Sequence, residues 1–155
     1  MDLNDYPGWI RQNPHKYIGR LKLEARELYQ KFPLIGIYMD GDTMRLEGPV
    51  ITMSGNRYIL RIVYPLSYPA LKPDGYVRDP DVVEFCNRNE NRGHPYHNYG
   101  VTQPHGLKLC VMDQDDTVNK GWTPNQTGIT ILEYSIMWLH AYEFKRARGK
   151  WPLPE

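Results

Sequence analysis

The sequence predicts an α+β fold in which an N-terminal helix precedes an antiparallel meander of four strands, a long loop and a C-terminal helix. Three observations predict it: helical spacing of apolar residues near the N-terminus, hairpin signals between short β-rich segments, and a second helical pattern near the C-terminus. The 155 residues, 41% of them hydrophobic, fit the commonest size of one domain and show neither a repeat nor a linker. We therefore expect residues 1–155 to form a single domain.

The first helix is predicted to begin at Asn13-Pro14, an N-cap residue followed by proline at the first helical position. Apolar residues then recur at the three- and four-residue spacing of one buried face: Ile18, Leu21, Ala25, Leu28 and Phe32. Charged residues between them, Glu24 included, are assigned to the solvated side. Pro33 is expected to end the helix.

Short β-rich segments follow and predict the meander. They lie at residues 34–39, 44–53, 57–64 and 75–78. Ser54-Gly55-Asn56 is a hairpin signal between the second and third segments, and turns this short join antiparallel strands only. In the third segment, alternation predicts one face that is more wetted than the other.

Residues 79–106 show no periodicity and are rich in Asn, Arg, His, Tyr, Gly and Pro. A structureless connection of this length inside a domain is either functional or misread. Because it leads directly to Cys110, we expect a functional loop.

The second helical pattern begins after Thr127, a residue type that caps helices. Leu132, Ile136 and Leu139 form its apolar stripe. Gly149 and Pro152 are expected to end it.

Charge and cysteine usage exclude several classes of protein. Nineteen basic and eighteen acidic residues give a formal charge of +1, so the chain has no overall field for nucleic acid or an acidic membrane, and we expect neither as a partner. The acidic start is unlike a signal peptide, and no apolar run approaches a membrane span. The two cysteines form neither a disulfide framework nor a CxxC pattern. A reducing cytoplasmic setting fits best.

Cys110 is the residue on which a reaction would depend. Alternation in residues 107–112 places Lys108, Cys110 and Met112 on the side opposite the apolar residues between them, which predicts partial exposure of the thiol. Lys108 or a nearby histidine would favour the nucleophilic thiolate. The alternative is a buried core thiol, and this is the fate we predict for Cys86.

Several short motifs occur in an order typical of one family. Tyr64-Pro65 and Tyr68-Pro69 follow the third predicted strand, Leu109-Cys110 follows the loop, and a Trp-x-Pro-x-x-Thr motif beginning at Trp122 precedes the last helix. From about residue 14 to residue 142 the chain resembles the ubiquitin-conjugating enzyme (UBC-fold) family. His94-Pro95-Tyr96 departs from the eukaryotic His-Pro-Asn pattern and lies further from the cysteine. The chain therefore looks more like the prokaryotic branch, the small stand-alone proteins of bacterial CBASS antiphage operons.

This resemblance implies a function. Cys110 would form a thioester with the C-terminus of a partner protein, expected to be a cGAS-like nucleotidyltransferase, and would pass it to a lysine amine in antiphage defence. No cofactor is expected, which fits the absence of any phosphate-binding or dinucleotide-binding motif. The chain therefore has no means of activating a carboxylate, and the acyl group must arrive activated.

Three further residues are candidates for the site. By analogy with the family, Asn98 would donate a hydrogen bond to the tetrahedral oxyanion if the loop folds back. Asp113, in the acidic loop after the cysteine, would assist the incoming lysine. His105 would orient the loop or act as a general base, and it is equally suited to a structural role as an imidazole bonded to the backbone.

Three alternatives remain open from the residues alone. The first is a catalytically inactive docking module, since a fold alone does not fix an activity. The second is an unrelated thiol hydrolase with a Cys-His pair. The third and weakest is a zinc site, whose ligands would be His94, His97, His105 and Cys110, at a spacing unlike that of the usual zinc sites.

Overall fold

A computed structural model describes residues 2–91, 96–112 and 121–152 of the chain. Among these residues the helices are α1 (Gly8–Arg11), α2 (Pro14–Lys31), α3 (Pro80–Asn87) and α4 (Gly128–Arg148). The strands are β1 (Gly36–Asp40), β2 (Thr43–Ile51), β3 (Arg57–Val63), β4 (Asp74–Val77), β5 (Asn98–Thr102) and β6 (Gly106–Leu109). The mixed α+β fold expected from the sequence is confirmed.

The strands form one antiparallel sheet in the order β1-β2-β3-β4-β6-β5. Its first four strands are the predicted meander, and Gly55, at φ 85°, makes the turn between β2 and β3. Strands β5 and β6 extend the sheet beyond β4. The sheet therefore has six described strands, where the sequence predicted four.

The segment between β4 and β6 corrects the expectation of a structureless loop. It contains α3, a 3₁₀ turn at Asn89–Asn91 and strand β5. Asp79 caps α3 by accepting hydrogen bonds from the N–H groups of Asp81 and Val82. Periodicity did not reveal α3 because eight residues span only about two turns. It did not reveal β5 because that strand is polar and glycine-containing, without alternation of apolar residues.

One face of the sheet is buried beneath the helices. In β3, Tyr58, Leu60 and Ile62 are buried and the residues between them are not, as the alternation predicted. The aromatic rings of the Tyr-Pro motifs lie deep in this core. Tyr68 is fully buried, with its ring centroid 4.7 Å from that of Tyr64 and 4.8 Å from that of Trp9.

Helix α2 begins where the sequence predicts, with the Asn13 side chain accepting from the N–H of Lys16. Leu28 is buried as expected, and the other predicted apolar residues are partly buried. The assignment of Glu24 to the solvated side is wrong, because that carboxylate is 1% exposed. It is buried because it binds two other elements of the core, described below.

Helix α4 ends as predicted at Gly149, which adopts the left-handed conformation at φ 79°. The start of α4 is where the sequence predicts, but it is not capped by the threonine side chain. Thr127 occupies the N-cap position, but its hydroxyl donates to Glu27 Oε2 at 2.8 Å and does not cap the helix. The carboxylate of Glu24 accepts from the N–H of Gly128 instead. No helix in the described part of the chain combines the length and apolar character needed to cross a membrane.

Candidate active site

Cys110 lies directly after β6, at the point where the chain leaves the sheet. Leu109 before it is fully buried, whereas Cys110 is partly exposed and its thiol is free. The N–H of Cys110 donates to the carbonyl oxygen of His97 at 2.8 Å. The backbone that carries the thiol is therefore fixed on one side by a buried leucine and on the other by a hydrogen bond across to the start of β5.

The alternation that predicted exposure of the thiol holds as far as Cys110 and no further. Lys108 and Cys110 are both partly exposed, but Met112 is only 7% exposed. Because β6 ends at Leu109, the residues after Cys110 no longer follow the period of a strand.

The ammonium of Lys108 contacts a carboxylate and an aromatic ring. Its Nζ lies 3.7 Å from Asp74 Oδ2 and 5.4 Å from the centre of the Tyr99 ring. Asp74 also pairs with Lys72 at 3.0 Å. The charge of Lys108, two residues before Cys110, is therefore part of a small network that includes a carboxylate.

The backbone of Asn98 lies close to that of Cys110, but its side chain points to the other face of the sheet. It lies opposite Leu109 in the β5–β6 pair and is 1% exposed. Residues directly opposite each other in an antiparallel pair share a face, so the Asn98 side chain lies with Leu109 and away from the side that Cys110 turns toward. Its amide donates to the carbonyl oxygen of Asn91 at 3.2 Å and accepts from the N–H of Gly100 at 3.0 Å.

His97 is the histidine that the structure brings to Cys110, through its carbonyl oxygen. Its backbone has a positive φ of 52°, which is uncommon for a residue other than glycine. Its ring stacks on that of Trp151, with centroids 6.3 Å apart. The neighbouring carbonyl of Tyr96 accepts from the indole N–H of Trp138 at 3.1 Å. Two tryptophans from the C-terminal part of the chain therefore support the segment next to the thiol.

His105 precedes β6 and Cys110 follows it, so an extended stretch of five residues separates them by roughly 16 Å. Its Nδ1 is 3.1 Å from Nη1 of Arg61, and its ring packs 4.9 Å from that of Tyr76. Burial, with the nearby charges of Arg61 and Arg78, lowers the pKa of His105. The structure thus does not bring His105 to the thiol. Asp113 and His94 lie outside the described residues.

The chain is described again from Gly121, and Trp122 anchors it at once. The Trp122 indole is buried and donates to the carbonyl oxygen of Pro69 at 2.8 Å. Its ring lies 6.0 Å from that of Tyr68. The motif that follows the cysteine in sequence is therefore fastened to the Tyr-Pro motif.

Arg20 fastens the same segment to α2. Its guanidinium donates to the carbonyl oxygen of Pro124 at 2.5 Å and to that of Gln126, and to the Tyr68 hydroxyl at 2.8 Å. One side chain thereby joins three parts of the chain. Local sequence does not reveal this role, since Arg20 is one of several basic residues on α2 and its partners lie far away in sequence.

Glu24 completes this arrangement one turn further along α2. Its carboxylate accepts from the Tyr64 hydroxyl at 3.0 Å and from the N–H of Gly128 at 3.0 Å, and Nε of Arg20 lies 3.4 Å away. Burial raises the pKa of Glu24 to about 7, against the opposing effect of these hydrogen bonds and of Arg20. Gly128 has no room for a side chain, since an added Cβ would lie 1.8 Å from the Tyr64 oxygen.

The comparisons with known proteins identify the family. A family model described as Type II CBASS E2 protein matches residues 24–155. The chain belongs to this family. No curated protein and no solved structure matches the chain. The match covers Cys110, both Tyr-Pro motifs, Trp122 and Glu24, and leaves out α1 and the part of α2 before Glu24, which includes Arg20.

Membership in the Type II CBASS E2 family indicates an E2-like role in CBASS antiphage operons, together with other proteins of those operons. The arrangement of an N-terminal helix, an antiparallel sheet and a C-terminal helix is consistent with a UBC-like fold. In this family member, the partly exposed cysteine lies at the end of a strand, beside a segment held by Trp138 and Trp151.

Proposed function

We propose that this family member is an acyl carrier in which Cys110 forms a thioester with the C-terminal carbonyl of a partner protein, a CBASS nucleotidyltransferase, and transfers it to a lysine amine. The observation that carries the proposal is the position of the thiol. It is free and partly exposed at the end of β6, on a backbone fixed by Leu109 and by the carbonyl of His97. A nucleophile held in this way is accessible to a macromolecular acyl donor.

The chemistry consists of two acyl transfers. In the first, the Cys110 thiolate attacks an activated carbonyl carbon of the partner, a thioester or acyl adenylate, so that an S–C bond forms and the activating group leaves. In the second, a neutral lysine amine attacks the thioester, a C–N bond forms, and the Cys110 thiolate leaves. The amine loses its proton to solvent or to a base. Because the first step starts from an activated acyl group, the chain needs no nucleotide site of its own.

The other candidate residues enter the proposal in different roles. Asn98 acts as a positioning residue, because both ends of its amide are bonded to backbone groups that hold β5 beside Cys110. His105 orients the β5–β6 turn through Arg61 and Tyr76. Asp113 assists the incoming lysine, as the resemblance to conjugating enzymes implies. Only Cys110 carries the acyl group.

The test is the intact mass of the chain after co-expression with a candidate nucleotidyltransferase, with and without reducing thiol. We expect an adduct in the wild type and in Cys86→Ala that is absent from Cys110→Ala. A thioester is released by thiol, and an adduct that resists thiol but requires Cys110 has already passed to an amine. A stable non-covalent complex in all three proteins, with no adduct, would replace the proposal with a docking module.

A further inference from the structure

Strand β1 is an edge of the sheet, and it is unusually unprotected. It pairs with β2 on one side and no described strand lies on the other. Three consecutive apolar residues are exposed along it: Ile37 at 38%, Tyr38 at 48% and Met39 at 39%. Edge strands usually carry lysine, proline or a bulge, which discourage pairing with another chain. Strand β1 has none of these.

The opposite edge of the sheet shows such protection. Strand β5 contains a register shift between Asn98 and Val101, and Gly100 within it has a φ of 84°. Helix α3 also contacts β5. The two edges therefore differ, and only β1 presents a regular strand to solvent among the described residues.

The hydrogen-bonding groups of β1 that face outward can be identified from the ladder. Met44 and Leu46 of β2 lie opposite Met39 and Ile37. The carbonyl of Met44 accepts from Tyr64 on the β3 side, at 2.9 Å. In an antiparallel sheet the backbone N–H and C=O groups of successive residues point alternately toward the two neighbouring strands, so those of Met44 and Leu46 point toward β3. Their partners Met39 and Ile37 therefore form no hydrogen bonds with β2, and their N–H and C=O groups point away from it, toward the open edge.

An apolar groove lies beside these groups. It has a volume of about 320 Å³, opens between α2 and β1, and is also lined by residues 5–7 of the N-terminal segment. Its apolar lining includes Ile18 and Leu21 of α2, Met44 of β2, and Ile37 and Met39. A strand added to β1 would direct alternate side chains into this groove, because side chains on neighbouring strands share a face when they are directly opposite.

The carboxylates at the end of β1 and in the turn after it do not oppose a second copy of the chain, and the two charged residues that line the groove, Asp5 and Lys22, are of opposite sign. Asp40 is paired with Arg45, and Asp42 is paired with Arg11. Both carboxylates are therefore neutralised within their own chain. The cost of bringing two such edges together is reduced accordingly.

We propose that β1 pairs with β1 of a second copy of this chain, antiparallel, about a two-fold axis that passes beside Tyr38. In this register Ile37 of each copy lies opposite Met39 of the other, and their outward N–H and C=O groups form four hydrogen bonds. The same side chains close the groove over Ile18 and Leu21. The two Tyr38 rings meet on the other face of the sheet. The pairing is self-complementary because every apolar residue meets an apolar residue.

Such a dimer leaves the cysteine accessible. Cys110 follows β6, which is four strands away from β1 in the sheet, a distance of roughly 19 Å. Two thiols would lie toward the outer ends of a continuous sheet of twice six strands. The inference is independent of the proposed chemistry at Cys110.

Sedimentation of the purified full chain over a wide concentration range tests the dimer, with Met39→Lys as the edge variant. An inward-pointing lysine at an edge is a common natural means of preventing such pairing, and we expect the dissociation constant to rise at least about tenfold. Met53→Lys is the matched control. Met53 is 93% exposed at the β2–β3 turn, and the same substitution there is expected to leave the dimer unchanged.

Amide hydrogen exchange adds a second measurement that does not depend on the variant. The amides of Ile37 and Met39 are expected to gain protection as the wild-type concentration rises, and to lose it in Met39→Lys. A chain that stays monomeric at every concentration overturns the proposal and leaves the edge for a strand of another protein. A dimer that persists equally in Met39→Lys also overturns it, because it must then form through another face.

Discussion

The two cysteines of this chain lie in similar apolar sequence surroundings and have opposite environments. Cys86 sits inside α3 at 2% exposure, and burial raises its pKa to about 12. Cys110 lies one residue beyond the end of β6 and is partly exposed. The difference arises from the element and not from the local composition. A side chain inside a helix that packs on the sheet is enclosed, whereas a residue at a strand end can project from a fixed backbone.

The largest expected effect compares the two thiols directly. At pH 8 a thiol with a pKa of about 12 is thiolate in roughly one molecule in ten thousand, so we expect iodoacetamide to modify Cys110 at least about a thousandfold faster than Cys86. Peptide mass spectrometry after timed alkylation measures both rates in the same sample.

Two controls sharpen that measurement. In denaturant the two rates should become similar, because the difference belongs to the fold. In Cys110→Ala, slow labelling of Cys86 should be unchanged. Equal rates in the native protein would show that Cys110 is as enclosed as Cys86, and the proposed acyl carrier would lose its main support.

A second prediction concerns the scaffold that separates the two environments. Arg20 and Glu24 fasten the segment that begins at Gly121, after Cys110 in sequence, to α2. Glu24 has a pKa raised from 4.5 to about 7, so the native state binds its proton more tightly than the unfolded state does. Stability should therefore be greatest below about pH 4.5 as far as this group is concerned, and should fall as the pH rises to 7, by roughly 3 kcal/mol.

Urea unfolding of the wild type and of Glu24→Gln across this pH range measures the effect. The difference in unfolding free energy between the two proteins should change with pH as Glu24 ionises. Glu27→Gln is the matched control, since Glu27 bonds Thr127 from the same helix one turn further on and should preserve the pH dependence of the wild type. A wild-type profile identical to that of Glu24→Gln would contradict the prediction.

The same contrast explains what the sequence can predict. Helices α2 and α4 and the meander follow from local periodicity and turn residues, and the burial of Cys86 follows from the usual fate of an unpaired cysteine. Glu24 was misassigned because its partners, Tyr64 and Gly128, lie 40 and 104 residues away in sequence. No local pattern contains such a contact. That residues 1–155 form one domain, and that the chain is cytoplasmic, stay predictions.

The positions of the histidines show that local sequence also fails to predict which residues are neighbours at the candidate site. His105 is close to Cys110 in sequence, but the intervening residues form a strand and hold the two apart. His97 is farther from Cys110 in sequence than His105 is, yet the β5–β6 pairing brings its carbonyl oxygen to the N–H of Cys110. Only the register of that hairpin, with its bulge, decides which histidine is the neighbour, and a register of this kind is not encoded in spacing alone.

The smallest expected effect is at His105, and it separates proximity in sequence from proximity in space. We expect His105→Gln to change the alkylation rate of Cys110 by less than about twofold, because an imidazole more than a Debye length away is largely screened. The pKa of His105 is also lowered, so the ring is neutral at pH 7 and above, where the rate is measured. Glutamine keeps a polar group beside Arg61 and limits any disturbance of the turn. A tenfold loss of rate in a variant whose unfolding midpoint is unchanged would establish His105 as a base for Cys110. That result would also require the segment around Cys110 to approach His105 in the reacting state. Cys110 would then not be held on a fixed strand end, and the contrast with the enclosed thiol of Cys86 would no longer hold.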